Sequence, residues 1–174
     1  MKDIISIINK NNLKSKLLCG NWGLEKENLR VKQDGSLAIT NHPKSLGDKL
    51  KHPYITTDFS ESQVEVITPP RTSIDSAYNL LENLHDIVTE NIDEDELLWP
   101  SSMPGIIPED SEIHIADYGD SEQAQEKMRY REFIADKYGK HKQLICGIHY
   151  NFSFDNKFLK ELHGIMEPDK SFTS

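Results

Sequence analysis

The sequence predicts an α+β fold with a largely antiparallel sheet, and three observations carry that reading. Short β-rich stretches follow one another without a helix between each pair, two longer stretches repeat apolar residues at helical spacing, and Gly and Pro punctuate the joins. A doubly wound fold would alternate strands and helices regularly, and this chain does not. No Pro/Gly/Ser-rich linker divides the 174 residues, so 1–174 is read as one domain. The helices are expected on one face of the sheet and a solvated cleft on the other.

In order along the chain, residues 2–17 spread apolar residues among charges at helical spacing and predict an opening helix. WGLEKENLRV, residues 22–31, reads as a strand. Gln33-Asp34-Gly35 supplies a turn and Leu37–Thr40 a returning strand, together a hairpin. HPYITTDFSESQVEVITPP holds two β-rich pieces, Tyr54–Thr57 and Gln63–Thr68, with Pro69-Pro70 stopping the second. From Thr72 to Ile92 the positions Ile74, Ala77, Tyr78, Leu81, Leu84, Ile87 and Val88 recur at steps of three and four, which predicts an amphipathic helix capped by Thr72 or Ser73. Residues 99–118, with Pro100, Pro104 and Pro108, predict an irregular connection. A second helix is expected over Glu122–Tyr138, ending at Gly139. QLICGIHYNFSF is the clearest strand. Leu144, Cys146, Ile148, Tyr150, Phe152 and Phe154 share one face, read as core, while Ile145, Gly147, His149, Asn151 and Ser153 share the other.

Composition narrows the function classes. Hydrophobic content of 36% with 28% charged residues is ordinary for a soluble globular protein, and no apolar run approaches the roughly 20 residues of a membrane helix. The N-terminus lacks the apolar block of an export signal, so a cytoplasmic protein is expected. Cys19 and Cys146 form no CxxC pattern and read as two reduced thiols. A net charge of -9 argues against nucleic acid as a partner, which is held by neutralising phosphates. The basic stretch KMRYREFIADKYGKHK reads either as a local anion patch or as a solvated helix face.

The chemistry-bearing candidates are carboxylates. Glu25 and Glu27 on one strand share a face about 7 Å apart, so either water screens their repulsion or a cation sits between them. Asp58 lies where an extended segment breaks, and Glu65 lies inside the Gln63–Val66 strand. Converging from several strands, they would suit a hard cation and a nucleotide. Taken singly, each also reads as the polar position of any half-exposed sheet. His149 and Asn151 share a polar face, where a histidine can bind metal, meet phosphate or simply be hydrogen-bonded. Tyr130 and Arg131 offer an aromatic wall and a fork for a carboxylate, or ordinary surface charge. The chain contains no GxxxxGK[ST] loop, no GxGxxG turn and no GxSxG elbow.

Six motifs in order, GLEKENLRV, DGSLAIT with NHP, HPYITTDFSESQVEVITP, LLWPSSMP, KMRYREFIADKYGK and GIHYNFSF, resemble the N-terminal part of glutamate-cysteine ligases, including the ligase half of bifunctional glutathione synthetases. The resemblance spans roughly residues 15–155. It implies a glutamine-synthetase-like catalytic core, incomplete at the C-terminus, that holds ATP, Mg²⁺ (or Mn²⁺), glutamate and cysteine. It places Glu25, Glu27, Asp58, Glu65 and His149 in the metal set and Phe59, Tyr130, Arg131 and Asn151 about the amino-acid pocket. It leaves the nucleotide contacts largely to a C-terminal region beyond Ser174. The implied reaction joins the side-chain carboxylate of glutamate to the amine of cysteine, giving γ-glutamylcysteine, the first step of glutathione biosynthesis. Family members continue for hundreds of residues, so the chain reads as an N-terminal portion whose partner would be a complementing C-terminal segment. Without that segment it would be at most a metal-nucleotide or partner-binding module.

Overall fold

A computed structural model describes residues 3–172. Helix α1 (Ile4–Lys10) opens the chain, capped by the Asp3 carboxylate on the Ile5 N–H. It is shorter than the sequence predicts, because Asn12 turns the backbone to a φ of 57° and a short 3₁₀ turn, Lys14–Lys16, replaces the second half. The organising element is the 13-residue strand β1 (Gly20–Lys32). Antiparallel partners flank it on both edges. These are β3 (Gln63–Ile67) and β5 (Ile148–Phe154) along its first two thirds, and β4 (Glu96–Leu98) at its end. β2 (Ile55–Thr57) continues the sheet beyond β3. The expected hairpin after Gly35 is reduced to a single bridge between Val31 and Leu37, held by the Lys32 N–H on the Ser36 carbonyl and the Ala38 N–H on the Arg30 carbonyl, while the outward Leu37 N–H bonds the Ile106 carbonyl.

Alternation divides β1 between two layers. Leu24, Lys26, Asn28 and Arg30 point to the back of the sheet, whereas Glu25, Glu27, Leu29 and Val31 point to the front. Helix α2 (Ile74–Thr89), capped by Ser73, covers the back: its Leu81, Leu84 and Val88 pack on Ile55, Val64 and Val66. Helix α3 (Glu122–Tyr138), capped by Ser121 and ended by Gly139 at a φ of 82°, has the expected bounds. Its Ala135 joins Leu29, Val31, Phe59, Ile113, Leu144 and Cys146 in a second core on the front. Helices therefore lie on both faces, correcting the expectation of one. The front stays open where Glu25, Glu27 and Glu65 stand beside the exposed His149 and Asn151. Helix α4 (Asn156–Met166), unforeseen in the sequence, packs Phe158 on Ile8 and Leu13.

A buried ion pair anchors the far end of β1. The Arg30 guanidinium donates to Glu96 at 2.5 Å, to Thr40 and to the Glu61 carbonyl, with both charged side chains essentially inaccessible. The pair ties β1 to β4 and to the loop that follows β2. Breaking such a pair strands a charge in the interior, at a cost of about 3–5 kcal/mol.

The clearest correction concerns β5. Leu144 and Cys146 are buried as expected, but they precede the strand, and all seven residues of β5 itself are exposed. Its apolar face points to the back, where α2 begins only at Ile74. Tyr150, Phe152 and Phe154 line an open groove of about 790 Å³ with Trp22, Leu17 and Leu18 instead of a core. Among the described residues no helix is long and apolar enough to cross a membrane. Both cysteines are free thiols.

Candidate functional site

The front of the sheet assembles the acidic residues by register alone. Glu27 on β1 stands directly opposite Glu65 on β3, and Glu25 stands directly opposite His149 on β5. Like charges facing each other across an antiparallel pair destabilise it, so the Glu27–Glu65 pairing is an electrostatic cost built into the fold.

Each group has its own support. The Glu25 carboxylate accepts a hydrogen bond from the Asn151 amide at 2.9 Å and lies 3.2 Å from His149 Nδ1. Glu27 Oε2 accepts the Gly147 N–H at 2.8 Å. A Cβ at Gly147 would come within 3.2 Å of His149 Nε2, so the absent side chain lets the histidine and Glu27 share this corner. Asp58, at the end of β2, has its N–H on the Gln63 carbonyl, and its own carbonyl accepts the Arg131 Nε at 2.5 Å. Glu65 is hemmed in by the others.

Proton affinities report the crowding. Burial, then the charges of Asp58, Glu27 and Glu25, push the Glu65 carboxyl up to about 7, against the pull of His149. Burial likewise raises Glu27, despite the Gly147 N–H, and raises Asp58 against the attraction of Arg131 and His149. Glu27, Asp58 and Glu65 are thus each harder to ionise than a free carboxylate, chiefly because they are buried without enough positive charge beside them. Among the described residues, no group of three or more acidic, histidine or cysteine side chains forms a ready-made cage for an ion. A small hard cation does not require one, because Mg²⁺ is ordinarily held by one or two carboxylates with water and phosphate completing its shell. The donor set, all oxygen with one imidazole, fits that chemistry.

The remaining expected residues divide. Arg131 reaches the acidic edge, where it donates to the carbonyls of Asp58 and Lys127. Tyr130 on the same helix is 63% exposed, and Phe59 is 2% exposed within the front core beneath the site. Burial, then the Glu27 charge, pushes the Cys146 thiol up to about 12, leaving it an inert core group.

Two residues escaped the sequence reading. Gln63, wholly buried, accepts the Phe59 N–H, reaches the Cys146 sulfur and hydrogen-bonds Glu27. A polar residue two places from Glu65 on the same inward face was the available signal. Tyr118 joins the Asp58 loop to α3, and its place inside an irregular connection offered no periodic signal at all.

Comparison with known proteins agrees with this architecture. The family model described as glutamate-cysteine ligase matches residues 5–174. The chain is 52% identical over 161 residues to a bifunctional glutathione biosynthesis protein of Listeria monocytogenes, covering 92% of this chain and 20% of that protein. It is 45% identical over 152 residues to a glutamate-cysteine ligase of Clostridium acetobutylicum, covering 87% of this chain and 31% of the relative. Among solved structures, a glutamate-cysteine ligase of Francisella tularensis in complex with AMP superposes with a TM-score of 0.82 at 41% identity, over 86% of this chain and 30% of that one. A bifunctional glutathione synthetase of Pasteurella multocida gives 0.86 at 38%, over 95% of this chain and 21% of that one. The chain therefore spans about a fifth to a third of the length of these relatives.

Proposed function

The chain belongs to the glutamate-cysteine ligase family, and on that premise we propose that its acidic front face is the cation-binding part of an ATP- and Mg²⁺-dependent ligase. The reaction joins the side-chain carboxylate of glutamate to the amine of cysteine within a glutamine-synthetase-like core. Phosphoryl transfer from ATP to the carboxylate releases ADP, and the amine then displaces phosphate to form the amide. Both reactants are anionic, so the catalytic demand is charge neutralisation and in-line placement.

The observation that carries this reading is the register that sets Glu27 opposite Glu65 and Glu25 opposite His149, where burial first, then the charges of Asp58, Glu27 and Glu25, push the Glu65 carboxyl up to about 7. Glu25, Glu27, Asp58 and Glu65, with His149, would hold Mg²⁺ or Mn²⁺. Bound there, the ion supplies the positive charge that nucleotide phosphates and substrate carboxylate need to approach each other. Asn151 and His149 orient Glu25, Gly147 orients Glu27, and Arg131 at the rim offers its remaining donors to a substrate carboxylate. Tyr130 stands one position away and Phe59 packs beneath. The AMP carried by the Francisella relative supports a nucleotide as co-substrate.

The chain's share of its relatives favours a second reading. At 20% to 31% of their length, it would bind cation and nucleotide without turnover unless a C-terminal segment completes the site. Measuring ADP formation by the purified chain with Mg²⁺, omitting glutamate and cysteine in turn, separates the two. Release that needs both amino acids and disappears in Glu25→Gln supports a working ligase site. A folded chain that releases none supports the binding module.

A further inference from the structure

Asp58 is the one member of the acidic set that lies outside a strand, and β3 holds it by a single bond, from its N–H to the Gln63 carbonyl. Its place is set by contacts from residues 113–118, which run antiparallel to the loop after β2. Ser60 and Ile115 form a bridge, the Glu61 N–H donates to the His114 carbonyl, and the Ala116 N–H donates to the Phe59 carbonyl. The Asp117 N–H then closes on the Glu61 carboxylate at 2.7 Å. Tyr118 ends this strap. Its hydroxyl accepts from Thr57 Oγ1 at 3.0 Å and points its proton at the carbonyls of Thr57, 2.7 Å away, and Asp58, 3.1 Å away. Its ring, 7% exposed, carries the Arg131 guanidinium at 4.8 Å and the Lys127 ammonium at 5.0 Å from its centre. Arg131 completes the circle by donating to the same Asp58 carbonyl.

We propose that Tyr118 is a positioning residue for the cation site, aiming the Asp58 carboxylate through its backbone and seating Arg131 beside it by the face of its ring. A rigid aromatic suits this task, because its hydroxyl and its ring act on two different elements with only two torsions to fix. The proposal rests on the reading of Asp58 as part of a cation site, and its test separates the two.

The probe is Mn²⁺ alone, titrated into the 174-residue chain and followed by the spin-resonance signal of the free ion, in the cold where melting curves show every variant folded. Tyr118→Phe keeps the ring and removes the hydroxyl, and is expected to weaken Mn²⁺ about 10-fold, as loss of an outer-sphere support does. Asp58→Asn is expected to weaken it at least as much, and the double variant no further than Asp58→Asn alone. A Tyr118→Phe chain that binds like the wild type overturns the proposal. So does a loss that adds in full to that of Asp58→Asn, since a general loosening of the fold would do that. An Asp58→Asn chain that binds like the wild type overturns the cation-site reading of Asp58 itself, whatever the tyrosine variant does.

Discussion

Strands β3 and β5 flank the same strand with the same alternation of apolar and polar residues, yet Gln63–Ile67 is largely buried and every residue of Ile148–Phe154 is exposed. The difference lies behind the sheet. Leu81, Leu84 and Val88 of α2 sit under Val64 and Val66, while Tyr150, Phe152 and Phe154 face an open groove. Alternation decides which residues share a face, but only the neighbouring layer decides whether that face is a core. For the site, this gives one firm wall and one accessible wall. Glu65 is fixed on a shielded strand where its charge is costly, and His149 and Asn151 stand on an exposed one where solutes can reach them.

The comparison breaks most visibly in stability. Leu84→Ala empties space beneath β3 and should cost about 2–5 kcal/mol in urea unfolding. Ile148→Thr, on a side chain 64% exposed, should cost about 0.5 kcal/mol or less. Similar losses for the two would mean that β5 is packed after all.

A smaller effect appears with pH. Glu65 takes up its proton near 4.5 when unfolded and near 7 when folded, so the folded form holds that proton more tightly. The stability this confers is complete below about 4.5 and is lost as the pH rises through about 7. Solvent screening of this partly exposed group cuts the full linkage effect to about 1 kcal/mol, so the melting temperature without divalent cations should be lower at pH 8 than at pH 5 by roughly 4 °C in a domain of this size. Glu65→Gln should flatten that slope. A slope unchanged in the variant would place the crowding elsewhere.

Much of this was legible in the sequence, for identifiable reasons. α3 begins and ends where Ser121 and Gly139 say it should, because both ends are set by local hydrogen bonds and backbone geometry. A period of two put Glu25 with Glu27 and His149 with Asn151, but it was the family resemblance, not the pattern, that grouped them with Glu65, because strand pairing is not written in either stretch. β4 was missed because three residues, Glu96–Leu98, are too few to show alternation, and α4 because Asp155 reads as the end of a strand before it reads as a helix cap. The exposure of β5 was illegible because it depends on where α2 starts in space. Gln63 left only a faint signal, its place two residues from Glu65, and Tyr118 was illegible as a support residue because its bonds to Thr57 and Asp58 span about 60 positions of chain.

The central claim is that the front face gathers more negative charge than the protein alone can neutralise, and that a divalent cation answers it. A carbon-13 NMR titration of the Glu65 side-chain carboxyl, run with and without Mg²⁺, addresses it directly. The account predicts a midpoint about 7 in the metal-free chain and a clear fall when Mg²⁺ is added. A midpoint near the ordinary 4.5 without metal, or one that Mg²⁺ leaves in place, would contradict it.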